Sequence, residues 1–465
     1  MTAAPAGIPS ARHLRADLRA ARRAHRTGGL GDVLSDLYVV ALFLGMYSWA
    51  AIYESREYLR SPTAGHTDPD EVYWIAVAAV PAALAFAWHG LRTVGPLLVT
   101  PTMQAWVTSS PVDRRALLAP RFRALGTGMA ALVAALGGAA ALIGGAPATG
   151  LAWGALAGAA CGAGGVSLSV LAQATRGRRR WPRLVGVALA IVAALVAASV
   201  VVAHFSGGSF PRPAGSLTVV VAIAGLPLAV VALVIADRAL RRVDRAALTA
   251  GAPLANAAAE AVVLLDPTLL AGLLEGRRWR RVGRVRSRRF LPGGRWWVLL
   301  QAEVRRLYRS PGALVAWGAL ILLQYAVAVA VPSVAGPARV IGAFLAATRL
   351  TGGLRTLTRS PGLRRAVGGG NAAVRLVHLV VPAAGAGLWW LATAPVGPVL
   401  PAWATIGTLL GVVFAAYRAA TRAPLDYGGA YAVTPFGTIP VDLLRQLLRG
   451  PDVIAVLVLV SYLLT

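Results

Sequence analysis

Long apolar runs separated by short, arginine-bearing connections set the pattern of this chain from about residue 36 to its end. A helix needs about 20 mostly apolar residues to cross a bilayer, because in hydrocarbon the backbone must satisfy its own hydrogen bonds. That template predicts eleven spans, near 36–53, 72–93, 122–144, 149–172, 183–204, 216–237, 313–332, 338–353, 376–394, 399–418 and 449–465. Residues 184–202 and 217–235 are uninterrupted. The eighth span carries Arg349 near its end, and the eleventh is short. The fold expected is all-α, a polytopic transmembrane helical bundle of about eleven spans.

The polar positions divide this pattern into four parts. A basic cytoplasmic tail covers 1–34, and a first transmembrane half of six spans covers 35–238. A basic cytoplasmic linker covers 239–310, and a second half of about five spans covers 311–465. With the N-terminus in the cytoplasm, only Arg56, Arg60, Arg212 and Arg339 fall outside; the remaining arginines lie in the tail, the inner loops or inner helix ends. Inner loops collect basic residues, so this asymmetry fixes the expected orientation in a cell membrane. The first outer loop is acidic instead, with Glu54, Glu57, Asp68, Asp70 and Glu71. The tail lacks the apolar core and small-residue cleavage site of a removable signal peptide, so the first span is expected to be an uncleaved signal-anchor. Its arginines (Arg12, Arg15, Arg19, Arg22, Arg23 and Arg26) suit anionic membrane lipid, and no nucleic-acid partner is needed to explain them.

Composition sharpens the picture. The 465 residues are 57% hydrophobic and 14% charged, where a soluble chain carries about 25% charge; mean hydropathy is +0.65. Basic residues number 46 against 18 acidic, a net charge of +28, and every one of the 46 is arginine. Without lysine there is no P-loop phosphate ligand, no Schiff base and no kinase ion pair. A single cysteine, Cys161, permits no intramolecular disulfide or cysteine-rich metal site. Six histidines form no metal-ligand spacing, and no Gly-x-Ser-x-Gly elbow occurs. No catalytic, cofactor or metal site is therefore expected, and the chain does not read as an enzyme.

Two inner loops repeat one another. Residues 108–117 read TSSPVDRRAL and residues 358–367 read TRSPGLRRAV, identical at six of ten positions. Each follows the second span of its half, which points to duplication on a six-plus-five plan. Pro111, Arg114 and Arg115 in the first loop correspond in place to Pro361, Arg364 and Arg365 in the second, and Asp113 precedes the first arginine pair. In the linker, Trp296, Trp297, Leu299, Leu300, Val304 and Leu307 share one helical face bordered by Arg295, Arg305, Arg306 and Arg309. Such a helix suits the headgroup layer. In the fourth span Gly150, Gly154, Gly158 and Gly162 recur every fourth residue, an arrangement for close helix packing. Within the spans Gln324 and Tyr325 are the most central polar residues. No carboxylate lies mid-membrane, which argues against an ion-coupled secondary carrier.

Gly95-Pro-Leu97, Pro101, Trp106 and the Ser-Pro-Val-Asp-Arg-Arg run of 110–115 resemble the cytoplasmic loop of bacterial type-2 ABC exporter permeases. With Asp266, Leu269, Leu270, the arginine run of 277–289, and 439–441 with 443–452, the chain resembles an uncharacterised actinobacterial multi-pass family regarded as ABC-permease-like. The resemblance implies a permease-like subunit of an exporter, forming the translocation pathway and driven by a separate ABC ATPase subunit. It departs from a standard six-span permease in carrying two unequal halves in one chain. The two halves could complete a pathway with two ATPases, or the chain could form a homodimer. The two Arg-Arg loops are the expected ATPase-coupling elements. The rival expectations are a non-transporting membrane scaffold and an ATPase-independent secondary carrier.

Overall fold

The computed structural model describes residues 68–98, 113–143, 147–175, 181–208, 217–249, 251–254, 289–368, 370–422, 431–434, 437–440 and 448–464, with isolated positions elsewhere. The first expected span, Pro111, the tail and nearly all of the arginine run at 277–289 lie outside these residues. The described helices in the first part of the chain are α1 (Pro69–Val94), α2 (Arg114–Ile143), α3 (Ala148–Ala174), α4 (Trp181–Ser206), α5 (Leu217–Ala239) and the short α6 (Arg245–Thr249). Then come α7 (Arg295–Arg309), α8 (Pro311–Ala330), α9 (Ala335–Leu350), α10 (Gly352–Arg359) and α11 (Pro361–Val367). The last helices are α12 (Asn371–Ala392), α13 (Ala402–Ala420) and α14 (Pro451–Leu464). Between α13 and α14 two four-residue strands, β1 (Tyr431–Thr434) and β2 (Gly437–Pro440), pair antiparallel, with Tyr431 opposite Pro440.

Eight of these helices (α1 to α5, α8, α12 and α13) are long and apolar enough to cross a membrane. Large apolar side chains such as Phe86, Leu195, Leu228, Trp403 and Leu410 stand exposed along them. A bilayer-facing surface requires this, whereas a water-facing one would be penalised for it. The helices mark a membrane protein. Two further expected spans are present as shorter helices, α9 with 16 residues and α14 with 14.

The described residues form two compact units. One takes those within 76–196 and 211–283; the other takes those within 66–75, 197–210 and 284–464. Helix α7, within the expected 239–310 linker, belongs with the second unit.

In the first unit α3 packs against both α2 and α5. Gly154, Gly158 and Gly162 all lie on the α2 side of α3. A Cβ at Gly158 would fall 2.2 Å from the carbonyl oxygen of Val133, and one at Gly162 would fall 2.4 Å from that of Met129. Gly137 answers from α2, where a Cβ would lie 2.3 Å from the carbonyl oxygen of Gly154. Only hydrogen fits at these crossings, so the two backbones touch directly. Gly150 sits in the first turn of α3. At the other end of the pair Leu118, Phe122, Val166, Val170, Ala236, Leu240 and Val243 close an apolar core.

In the second unit α9 is central, packed against α8, α12, α13 and α14. Nine of its sixteen residues are buried, mostly alanine and glycine. Because α9 faces protein instead of lipid, it needs small side chains more than greasy ones. Gly342 leaves room for the fully buried Trp389 of α12, whose ring would be 2.6 Å from a Cβ there. Gln324 donates to the carbonyl of Ala335 at 2.9 Å, and Tyr325 to that of Ala392 at 2.9 Å, so both central polar residues join helices.

Arg339, expected at the outer end of the eighth span, is held within the protein. Arg339 is 4% exposed within α9. It donates to the Trp390 carbonyl at 2.8 Å and to Thr393 Oγ1 at 3.3 Å, with its guanidinium 4.0 Å from the Trp390 ring centroid. Aromatic and carbonyl groups replace water around the charge, in the manner that suits a planar guanidinium.

Candidate coupling surface

The two Arg-Arg loops fold differently. In the first unit Asp113 Oδ1 accepts from the Arg115 backbone N–H at 3.1 Å and starts α2. Arg114 then donates to the carbonyl of Val243 at 3.1 Å. Arg115 donates through Nε to Asp237 Oδ2 at 2.8 Å, with a second bond from Nη2 to the same oxygen. Arg241 lies 3.8 Å from Asp113. This arginine pair is therefore turned inward, onto the end of α5 and the 3-10 turn Leu240–Arg242. Both arginines of the pair are thus engaged within the chain. Nearby, Gln173 is a tie that sequence reasoning missed. Its amide nitrogen donates to the carbonyls of Leu97 and Ala247, both at 2.9 Å, and its oxygen accepts from Leu97 N–H at 3.3 Å.

In the second unit the equivalent segment is presented outward. Ser360 caps α11, its Oγ accepting from Leu363 N–H at 3.2 Å, and Pro361 takes the first helical position. Gly368, with φ +68°, ends the helix. Arg295 of α7 donates to the carbonyls of Val367 and Gly368, a cation placed on the negative end of α11. Upstream, α10 is anchored by the buried Leu354 and Leu357. Arg364 and Arg365 have no partner among the described residues, and Arg365 is exposed.

A buried carboxylate ties α7 to α12 and faces the start of α10. Glu303 in α7 is 4% exposed. It accepts from Arg306 Nε at 3.0 Å and lies 3.4 Å from His378 Nε2 of α12. Arg306 also donates to the Leu350 carbonyl at 2.9 Å, and Gly353 lets the carboxylate approach the backbone. Gln301 of α7 is also buried and pairs with both backbone groups of Leu291. The outward side is aromatic, with Trp296, Trp297 and Tyr308 exposed. Arg295 sits 5.3 Å over the Trp296 ring, and Arg305 sits 4.4 Å over that of Phe290. So α7 turns polar groups to protein and aromatic groups out, as a helix at a membrane surface would. His378 is buried, with Nδ1 2.9 Å from the Val374 carbonyl.

Residues 65–430 match the family of unknown function DUF6297. The chain belongs to that family. The match runs from before α1 to beyond α13 and so takes in both units and both Arg-Arg helices. No curated protein and no solved structure matches the chain. Among the described residues no group of three histidine, cysteine, aspartate or glutamate side chains could hold a metal ion.

Proposed function

We propose that this chain is the membrane-embedded, permease-like subunit of an ABC-type exporter, forming the translocation pathway and driven by a separate ATPase. It would do so with about eleven spans on a six-plus-five plan, in the cell membrane, with the N-terminus cytoplasmic. The observation that carries the reading is α11. Two adjacent arginines on a capped, anchored helix, with no partner among the described residues, form a rigid cationic tip for an acidic protein surface. The absence of lysine supports the need for a partner that supplies nucleotide chemistry. Anionic lipid around the basic tail, and possible pairing of two copies of the chain, belong to the same proposal. The chain itself has no catalytic role in this scheme.

The test is to purify the full chain from its native membranes and measure ATP hydrolysis in the eluate. The wild-type chain is expected to bring ATPase activity with it, and R364E/R365E to lose that activity at equal yield and unchanged melting temperature. Activity carried equally by both would overturn the role of α11. No activity with either would favour a non-transporting scaffold.

A further inference from the structure

The first unit contains a cavity of about 500 Å³ between α2 and α5 whose chemistry is that of an amphiphile. At one end three guanidiniums, Arg115, Arg123 and Arg238, surround the single carboxylate of Asp237. Arg115 is committed to Asp237 Oδ2. Arg123 is largely exposed, 3.9 Å from Oδ1, and Arg238 is exposed with no partner among the described residues. Two cations are thus left for an anion. Oδ1 of Asp237 is buried and has no hydrogen-bond partner among the described residues. A buried acceptor of this kind calls for a donor.

Towards the other end the lining becomes apolar. Gly126, Ala130 and Ala163 form a shallow floor beside Leu233 and Val234. From Arg123 to Ala130 the slot runs about 10 Å along α2 at the rise of an α-helix. A free phosphate ion would leave this slot empty, whereas an acyl chain would fill it.

We infer that this cleft binds one anionic phospholipid whose headgroup carries a free hydroxyl. The phosphate accepts from Arg123 and Arg238, the hydroxyl donates to Asp237 Oδ1, and an acyl chain lies along Gly126 and Ala130. Headgroup choice follows from charge. An ethanolamine ammonium would put a fourth cation beside three guanidiniums, and choline has no hydrogen to donate. The site uses none of the α11 residues, so its failure would leave the exporter reading untouched.

The full-length protein in detergent, incubated with vesicles of equal phosphatidylglycerol and phosphatidylethanolamine of matched acyl chains, would be examined by native mass spectrometry. Retention of one phosphatidylglycerol over phosphatidylethanolamine by about tenfold is expected. R123Q/R238Q should abolish the preference. A163F, which fills the slot and keeps every charge, should also abolish it, while R364Q/R365Q should leave it unchanged. Equal retention of the two lipids would overturn the inference. So would retention by both R123Q/R238Q and A163F, an equal loss in R364Q/R365Q, or displacement of the lipid by millimolar inorganic phosphate.

Discussion

Arg115 and Asp237 are 122 residues apart in sequence and meet through an Nε to Oδ2 hydrogen bond of 2.8 Å. The contact fastens the start of α2 to the end of α5 and engages one arginine of the first Arg-Arg loop. Removing the carboxylate leaves Arg115, Arg123 and Arg238 close together with nothing to balance them. D237A is expected to destabilise the first unit by about 1.5–3 kcal/mol, the range for hydrogen bonds to charged groups. A lowered melting temperature in detergent would register it. The exchange R115D/D237R should recover part of the loss, and no recovery would argue that the pair contributes little.

The glycine contact between α2 and α3 makes a sharper prediction, because neighbouring glycines differ. G158A and G162A each place a methyl group within 2.4 Å of a backbone oxygen. Neither helix can yield without moving as a whole, so each substitution should cost about 1–3 kcal/mol. Gly165, in the same helix, has nothing within 4 Å of a Cβ. G165A should be neutral or slightly stabilising, since alanine favours helix over glycine. Equal melting temperatures for G158A and G165A would contradict the close approach.

Glu303 balances Arg306 and lies 3.4 Å from His378 Nε2 in a nearly closed environment. E303A strands the guanidinium beside the Leu350 carbonyl without a counter-charge. Breaking a buried pair in this way costs about 3–5 kcal/mol. The effect should appear as lost expression or a much lower melting temperature, and E303Q, which keeps the shape and one acceptor, should suffer less. Protease accessibility of the α10–α11 segment should rise in E303A; unchanged accessibility would show that Glu303 is not what seats it.

The proposed orientation can be read by chemical labelling in a C161S background. Val399, wholly exposed between α12 and α13, is expected at the outer surface. V399C should react with an impermeant maleimide in intact cells, whereas R364C should react only after permeabilisation. The reverse pattern would invert the topology.

Much of the architecture was legible because hydrocarbon imposes so simple a demand. An apolar run of sufficient length is enough, and α1 to α5, α8, α12 and α13 announce themselves this way. Helix α9 was harder: its burial depends on small residues seated among protein neighbours, and hydropathy registers those weakly. The hairpin β1–β2 went unread because strands of four residues leave little periodicity to find. At the candidate surface, Ser360 and Pro361 signalled a helix start in the sequence. Nothing local distinguishes Arg114 and Arg115, which bond elsewhere in the chain, from Arg364 and Arg365, which have no partner among the described residues. That difference rests on Asp237 and Val243, more than 120 residues away. Glu303 left one faint trace, an acid three residues before Arg306 in an otherwise basic helix.

The crossing at Gly137, Gly154, Gly158 and Gly162 has a mechanical consequence. Two rods in main-chain contact have no compliant layer of side chains between them, so neither can roll or slide on its own. If the protein works by rearranging its helices, α2 and α3 travel as one strut, and the hinges must be sought at looser seams.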